Sequence, residues 1–234
     1  TVSITGIVER VRTSDNTKVW QTLKKTTKLK TGGVIPTTQV IFGYSGIDGA
    51  FFATIGSDGI MRAAGFNDQG QLGNGTTNST LVPAKFLAPT ASPMVKGYSS
   101  FLSVGYVLFG IDDTGIAYGA GRNDFGQVGS GTISPTVTTP KKVVLPAGKT
   151  VKSIATLGIT SYFLTTDNNI YAAGACRFGL LGSNYTISGC ADRATPVRVA
   201  LPTPNAADPN TIPADDTQGP FAADRYTVYV RMKG

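Results

Sequence analysis

Apolar and polar positions follow one another in short bursts rather than in long helical stripes, and each burst is broken by glycine, proline or an Asx residue. Phe51-Phe-Ala-Thr-Ile55 runs into Gly56-Ser-Asp-Gly59 and resumes at Ile60. Val107-Leu-Phe-Gly-Ile111 runs into Asp112-Asp-Thr-Gly115 and resumes at Ile116. Tyr162-Phe-Leu-Thr-Thr166 runs into Asp167-Asn-Asn169 and resumes at Ile170. A β-rich run, a tight polar turn and a second run closing on Ala-Gly spell a hairpin, with glycine at the turn position that needs a positive φ. Asn169 stands in the third copy where Gly59 and Gly115 stand in the first two, and asparagine is the usual non-glycine tolerated there.

Each hairpin leads into a glycine ladder. The first is Gly65-Phe-Asn67-Asp68-Gln-Gly70-Gln71-Leu-Gly73-Asn-Gly75-Thr76, the second Gly121-Arg-Asn123-Asp124-Phe-Gly126-Gln127-Val-Gly129-Ser-Gly131-Thr132, and the third a worn copy, Gly174-Ala-Cys-Arg-Phe-Gly179-Leu-Leu-Gly182. The opening glycines lie 56 and 53 residues apart, a period of propeller and solenoid units, about one four-stranded blade each. A proline and a strand-like run follow every ladder, at Pro83, Pro140 and Pro196. The expected organisation is a basic N-terminal β arm over 1–36, three propeller-type repeats over 37–201 (about 37–89, 90–146 and 147–201), and a Pro-rich connector with a C-terminal strand over 202–234. Propellers close with four to eight blades. The fold class expected is therefore all-β, a partial or oligomer-completed β-propeller of about three blades with extra terminal strands.

The ladder has a structural logic of its own. Gly65, Gly70, Gly73, Gly121, Gly126 and Gly129 stand where close turns leave no room for a Cβ, and Asn67, Asp68, Asn123 and Asp124 can bond their own backbone in Asx turns. Gln71 and Gln127 can plug backbone groups left open in the loop, while Leu72, Val128 and Leu181 anchor it in the core. A phosphate cradle is the functional alternative, but no Lys-Ser/Thr and no helix follow.

From Gly43 to Leu201 the chain resembles the repeats of the regulator of chromosome condensation family, on the string Gly-x-Asn-Asp-x-Gly-Gln-(Leu/Val)-Gly-x-Gly-Thr in the first two ladders. The resemblance implies β-propeller blades, seven in the best-known members, and relatives that promote nucleotide exchange on a small GTPase or bind chromatin. The family's usual histidine before the hairpin strand is missing; Ala50, Tyr106 and Thr160 take those places, and the third copy has Cys176-Arg177 for Asn-Asp and Leu180 for Gln. The exchange-promoting loops of the family match no positions here, so no such residue is carried over.

Of a net charge of +7 over 234 residues, the first 35 residues hold seven Lys and Arg against Glu9 and Asp15, leaving the repeats close to neutral. Lys24, Lys25, Lys28 and Lys30 are candidate contacts for an anionic partner, although a lysine-guarded strand edge is the favoured explanation. With Trp20 as the only stacking platform among them, nucleic acid is not the expected partner. Val2 to Val11 reads as strand with Gly6 as a bulge, although Ile4, Ile7, Val8 and Val11 also fit a helical period. After an extended connector, Pro202 to Pro220, a last strand runs from Arg225 to Lys233. No run of about 18 apolar residues spans a membrane. The chain starts at Thr1 rather than Met, which suggests processing or trimming.

Cys176 and Cys190 flank the worn ladder. A disulfide there would clip the loop and imply an oxidising compartment; two buried free thiols are the alternative. Without histidine, Ser-His-Asp or Cys-His catalysis is excluded and metal binding is not expected; a paired-carboxylate glycosidase stays open only if the fold brings together two of the fourteen carboxylates, which are scattered mostly in turns. No cofactor and no enzymatic activity are expected. Two classes of function stay open. The first is an extracellular or cell-surface structural or adhesive module, part of a filament, pilus or fibre, touching other protein subunits, a host or surface protein or a glycan, with homo-oligomers included. The second is an intracellular partner-binding propeller of the GTPase-exchange or chromatin type. The cysteine pair and the Thr/Ser/Asn/Gly-rich repeats favour the first.

Overall fold

The computed structural model describes residues 2–11, 18–27, 35–44, 49–99, 106–182, 190–200, 221–223 and 228–230, and for those before Ile35 and after Ala200 it is the backbone path that is described. The chain divides into two units, Thr1–Ile35 and Pro36–Gly234. The first holds an antiparallel hairpin, β1 (Val2–Val11) and β2 (Lys18–Thr27). Its register is one-for-one from Val2↔Thr27 to Val11↔Lys18, with Gly6 opposite Leu23. Gly6 is therefore a regular ladder residue and not a bulge, and the helical period of this stretch yields to its β-branched content. The turn expected at Thr13–Asn16 lies outside the described residues.

The second unit contains three four-stranded antiparallel sheets, each a meander in chain order. Blade 1 is β3 (Thr37–Tyr44), β4 (Ala50–Gly56), β5 (Met61–Gly65) and β6 (Thr80–Lys85). Blade 2 is β7 (Met94–Ser99), β8 (Val107–Asp112), β9 (Ala117–Arg122) and β10 (Thr136–Lys142). Blade 3 is β11 (Val151–Thr156), β12 (Thr160–Thr165), β13 (Ile170–Gly174) and β14 (Arg193–Arg198). β7 neighbours both β3 and β11, so the first strand of each blade is the inner one. A short hairpin, β15 (Phe221–Ala223) with β16 (Val228–Val230), follows, and β15 runs beside β11. The connector Pro202–Pro220 lies outside the described residues.

Hydrophobic residues alternate along the hairpins so that one set faces each neighbouring blade. Ile41, Phe51, Ala53, Ile55, Met61 and Leu72 of blade 1 pack with Met94, Leu108, Tyr118 and Ala120 of blade 2. Val107, Phe109, Ile111, Val128 and Val137 of blade 2 pack with Val151, Ile154, Phe163 and Tyr171 of blade 3. Phe109 and Phe163 meet edge to face, with centroids 5.6 Å apart. Full burial of each such side chain is worth about 1.5–3 kcal/mol. All six residues of β8 are buried because blade 2 is sandwiched on both faces, hence its continuous apolar run. On the far face of blade 3, Leu157, Tyr162, Leu164 and Ile170 form a third cluster with Leu180 and Leu181 of its own ladder loop.

Two positions of the third copy fall one residue earlier than the sequence suggests. The left-handed turn residue is Asn168, at φ 62°, rather than Asn169. Its amide donates to Thr165 O at 2.9 Å, as Gly59 donates to Gly56 O at 2.9 Å and Gly115 to Asp112 O at 3.0 Å. The position taken in blades 1 and 2 by Ala50 and Tyr106 belongs to Ile159 and not to Thr160, since the carbonyls of these three accept the bond from Phe66, Arg122 and Ala175. The outer strands also start three or four residues before their prolines. Pro83, Pro140 and Pro196 sit within β6, β10 and β14, where an edge strand tolerates a missing donor.

Candidate functional site

The ladder loops join the third and fourth strands of each blade, and their polar residues are consumed in holding the loop shut. Asn67 and Asn123 are wholly buried. Asn67 Oδ1 accepts from Leu72 N at 2.8 Å while its Nδ2 donates to Thr76 O at 2.9 Å and Asn78 O at 3.0 Å. Asn123 repeats this with Val128 N at 3.0 Å and Thr132 O at 2.8 Å. These asparagines span the whole loop, which corrects the expectation of local Asx turns. Their side chains reach the far limb because the glycines fold it back over them. Gln71 Oε1 accepts from Gln69 N and Gln127 Oε1 from Phe125 N, both at 3.0 Å, as the sequence suggests. Gln127 Nε2 goes further and donates to Gly158 O of blade 3 at 3.1 Å. The expected glycines all sit at positive φ: Gly65, Gly70 and Gly73 in the first ladder, Gly121, Gly126 and Gly129 in the second.

In the worn third ladder Cys176 occupies the place of Asn67 and Asn123. It is bridged to Cys190 on the far limb of the loop, with Cα atoms 5.7 Å apart. The bridge spans the same limbs that the asparagine bonds span in the other copies. Cys176 N donates to Asp192 Oδ1 at 3.0 Å. Leu180, standing for the glutamine, is buried and its carbonyl accepts from the Tyr162 hydroxyl. Burial with no charged partner pushes the Tyr162 phenol well above the ordinary tyrosine range.

What the loops present outward is a rim of aromatic and arginine side chains that bridges the blade junctions. Phe66 of blade 1 meets Tyr106 of blade 2 at 6.5 Å between centroids. Phe125 of blade 2 carries the Arg122 guanidinium at 5.5 Å and the Arg177 guanidinium of blade 3 at 5.1 Å from its ring centre. Arg122 is ion-paired with Asp124 at 2.6 Å, and Asp68 is exposed. Arg177 stands where the earlier ladders carry Asp68 and Asp124, so the rim reverses charge at blade 3. That reversal is visible in the sequence, where it reads as decay of the motif; the pairing with Phe125 is not. Tyr185 lies outside the described residues.

Lys24 and Lys25 belong to the other unit, in β2 opposite Thr5 and Ile4, and Lys28 and Lys30 lie outside the described residues. Among the described residues no cluster of three cysteine or carboxylate side chains is placed to hold a metal ion, and no helix is long and apolar enough to cross a membrane.

No protein-family model matches the chain. Among curated proteins, Protein RCC2 of Mus musculus is 27% identical over 143 residues, 60% of this chain and 26% of that protein. Protein RCC2 of Homo sapiens is 26% identical over 145 residues, again 60% and 26%. The chain therefore spans about a quarter of the length of these relatives. Among solved structures, human WBSCR16 superposes with a TM-score of 0.56 at 20% identity, over 69% of this chain and 37% of that one. Yeast RCC1 (Prp20) bound to Kap60 gives 0.55 at 23%, over 76% and 39%. Prp20p of Saccharomyces cerevisiae, described with its binding to Gsp1p and histones, gives 0.57 at 22%, over 76% and 41%. The three repeats are RCC1-like β-propeller blades. The same relatives overturn the extracellular or cell-surface location expected from the cysteine pair, because proteins of the RCC1 and RCC2 kind work inside the cell. Nothing among them supports an adhesin, pilus, filament or glycan-binding role. The bridge closes a local loop in place of an asparagine, a packing role that carries no compartment label.

Proposed function

We propose that the chain is a protein-binding β-propeller module acting inside the cell, which holds a small GTPase or a chromatin protein against the ladder-loop rim and catalyses no reaction of its own. The observation that carries this is the rim itself. Phe66, Tyr106, Arg122, Phe125 and Arg177 are half-buried or exposed on one set of loops, and aromatic and arginine side chains supply most of the energy in protein interfaces. The polar residues around them, Asn67, Asn123, Gln71 and Gln127, are buried in the scaffold and unable to serve chemistry. The yeast relatives, described with Kap60, Gsp1p and histones, point to the same class of partner. A net charge of +7 favours an acidic protein face over basic histone tails, and the basic arm with Lys24, Lys25, Lys28 and Lys30 adds to that pull.

Titration calorimetry of the whole chain against a Gsp1p-type GTPase and against a histone dimer, with nucleotide release followed in parallel, tests this reading. The expected result is a dissociation constant of about 10 μM or tighter for the GTPase, weakening with salt, and at least about a tenfold loss in Phe125→Ala and Arg177→Ala. Absence of binding to both proteins would sink it.

A further inference from the structure

Cys176 and Arg177 are neighbours in the chain with separate duties. The first closes the third ladder loop, and the second supplies a cation to the rim. Cys176 is 4% exposed and stands at the start of a single 3₁₀ turn, Arg177–Gly179. From that turn Arg177 reaches across the blade junction and places its guanidinium 5.1 Å from the Phe125 ring centre. A 3₁₀ turn of three residues has too few bonds to hold itself in place, so the residue at its start sets where Arg177 points.

In the second ladder the same place is held by Asn123. Its N donates to Pro135 O at 3.1 Å and its O accepts from Ser134 N at 3.2 Å, besides the bonds of its side-chain amide. In the third ladder Cys176 is tied to the far limb by the bridge to Cys190 and by the bond from Cys176 N to Asp192 Oδ1 at 3.0 Å. A thiol is a weak donor and a weak acceptor, so a reduced Cys176 cannot take over the work of an asparagine amide. What remains at Cys176, among the described residues, is its one bond to the Asp192 carboxylate.

We propose that the Cys176–Cys190 bridge is a redox switch on partner binding: oxidised, it holds Arg177 on Phe125 in the binding arrangement, and reduced, it lets Arg177 go. This rests on the reading of the rim as the binding surface. Inside the cell, where glutathione and thioredoxins keep thiols reduced, the bridges that do form are mostly transient, catalytic or redox-sensing. The opening step is exchange with a dithiol reductant of the thioredoxin kind. Cys190 is the less buried of the pair, so a reductant thiolate attacks its sulfur, the S–S bond breaks, and the Cys176 sulfur leaves with the electron pair and takes up a proton. The second reductant thiol loses its proton and displaces the Cys190 sulfur, which also ends as a thiol. The chain has then gained two electrons and two protons, and the reductant has become a disulfide. The same exchange with oxidised glutathione closes the bridge again.

The whole chain, oxidised or treated with a thioredoxin-type dithiol, tests the switch twice, with the bridge state read by mass after alkylation. Arginine side-chain NMR needs no partner. In the oxidised chain the Phe125 ring is expected to shift the Arg177 Nε–H proton upfield, a signal that Arg177→Lys removes, and reduction should abolish the shift. Calorimetry against the Gsp1p-type GTPase should then show binding at least about tenfold weaker in the reduced chain, the loss expected of Arg177→Ala. Arg177→Ala itself should bind equally in both states, and Cys176→Asn with Cys190→Ser should ignore the reductant. A bridge that the dithiol leaves intact, a ring shift that survives reduction, equal binding in both states, or a further loss in reduced Arg177→Ala would each overturn the proposal. A ring shift lost on reduction in a chain that binds the GTPase in neither state would support the switch and strike the proposed partner instead.

Discussion

Gln39 grips Gly97 by both ends of its amide: Gly97 N donates to Oε1 at 2.7 Å, and Nε2 donates to Gly97 O at 3.0 Å. This is a strand-to-strand pair of bonds made by a side chain, and it ties β3 to β7 where no backbone ladder joins the two sheets. Gly97 leaves the space for it, since a Cβ there would come within 2.6 Å of Ile41 Cδ1. Gln39→Leu keeps the bulk and strands both polar groups of Gly97. It should cost about 1–3 kcal/mol in urea unfolding, the usual penalty for half-buried groups left unpaired. A loss below about 0.5 kcal/mol would mean that water replaces the amide without cost.

Asn123 and Cys176 solve one problem with different chemistry, which leads to a paired prediction. Asn123→Ala removes three side-chain bonds from a loop whose limbs are otherwise joined by the backbone bonds of Asn123 N to Pro135 O and Ser134 N to Asn123 O, and should cost about 2–4 kcal/mol, read as a fall in the unfolding midpoint. Reducing the Cys176–Cys190 bridge should cost up to about 3 kcal/mol for a loop near 15 residues. The double change Cys176→Asn with Cys190→Ser puts the asparagine of the other copies back in place. Its stability should fall between the oxidised and reduced wild type and ignore reductant.

Much of this was legible because a repeat is read several times over. The hairpins, the ladders and the blade count follow from glycine, Asx and alternating apolar residues that recur in phase. The inner strands β3, β7 and β11 were not legible, since Met94-Val-Lys-Gly-Tyr-Ser99 and Val151-Lys-Ser-Ile-Ala-Thr156 carry no shared motif and gain their identity from the neighbouring blade. A worn copy also loses register. With no glycine in Asp167-Asn-Asn169 to mark the turn, two adjacent asparagines compete, and only the bond from Asn168 N to Thr165 O decides between them. At the candidate site the scaffold glycines and amides were visible, whereas the rim was not. Arg177 and Phe125 are 52 residues apart in sequence and meet only once blades 2 and 3 have packed. Cys176 and Cys190 face each other across one loop, and the compartment read from them was misjudged, because loop closure is a local demand.

Tyr162 sets the alkaline limit of the third blade. Burial raises its phenol pKa in the folded chain, and its hydroxyl donates to Leu180 O. A folded value above the unfolded one means that the contribution is complete below the ordinary tyrosine pKa near about 10 and is lost as pH rises beyond it, because only the unfolded chain releases the proton easily. Tyr162→Phe should cost about 1 kcal/mol at neutral pH through the lost bond and flatten the fall in melting temperature between about pH 9 and 11. On the acid side Asp167 is held well below the usual carboxylate range, first by its bond from Lys149 and then by Thr165 and Asn169. Its contribution is present above the ordinary carboxylate pKa and lost as pH falls below it. The pair is exposed, so that effect should be small and vanish in about 1 M salt.

Gly126 and Gly179 separate backbone strain from blade seating. Both are left-handed, at φ +80° and +73°, so alanine at either place carries the same conformational cost of about 1–2 kcal/mol. The surroundings differ. A Cβ on Gly126 would lie 2.6 Å from Ala194 Cα and 2.8 Å from Ala194 N, backbone that moves only if blade 3 shifts away, whereas one on Gly179 meets nothing within 4 Å among the described residues. Gly179→Ala should therefore show the strain alone, and Gly126→Ala a further loss of about 1–3 kcal/mol from overpacking at the junction. Urea unfolding of the two variants beside the wild type reads the comparison. Equal losses would show that the loop lifts off the next blade freely and that the glycine is there for the turn alone.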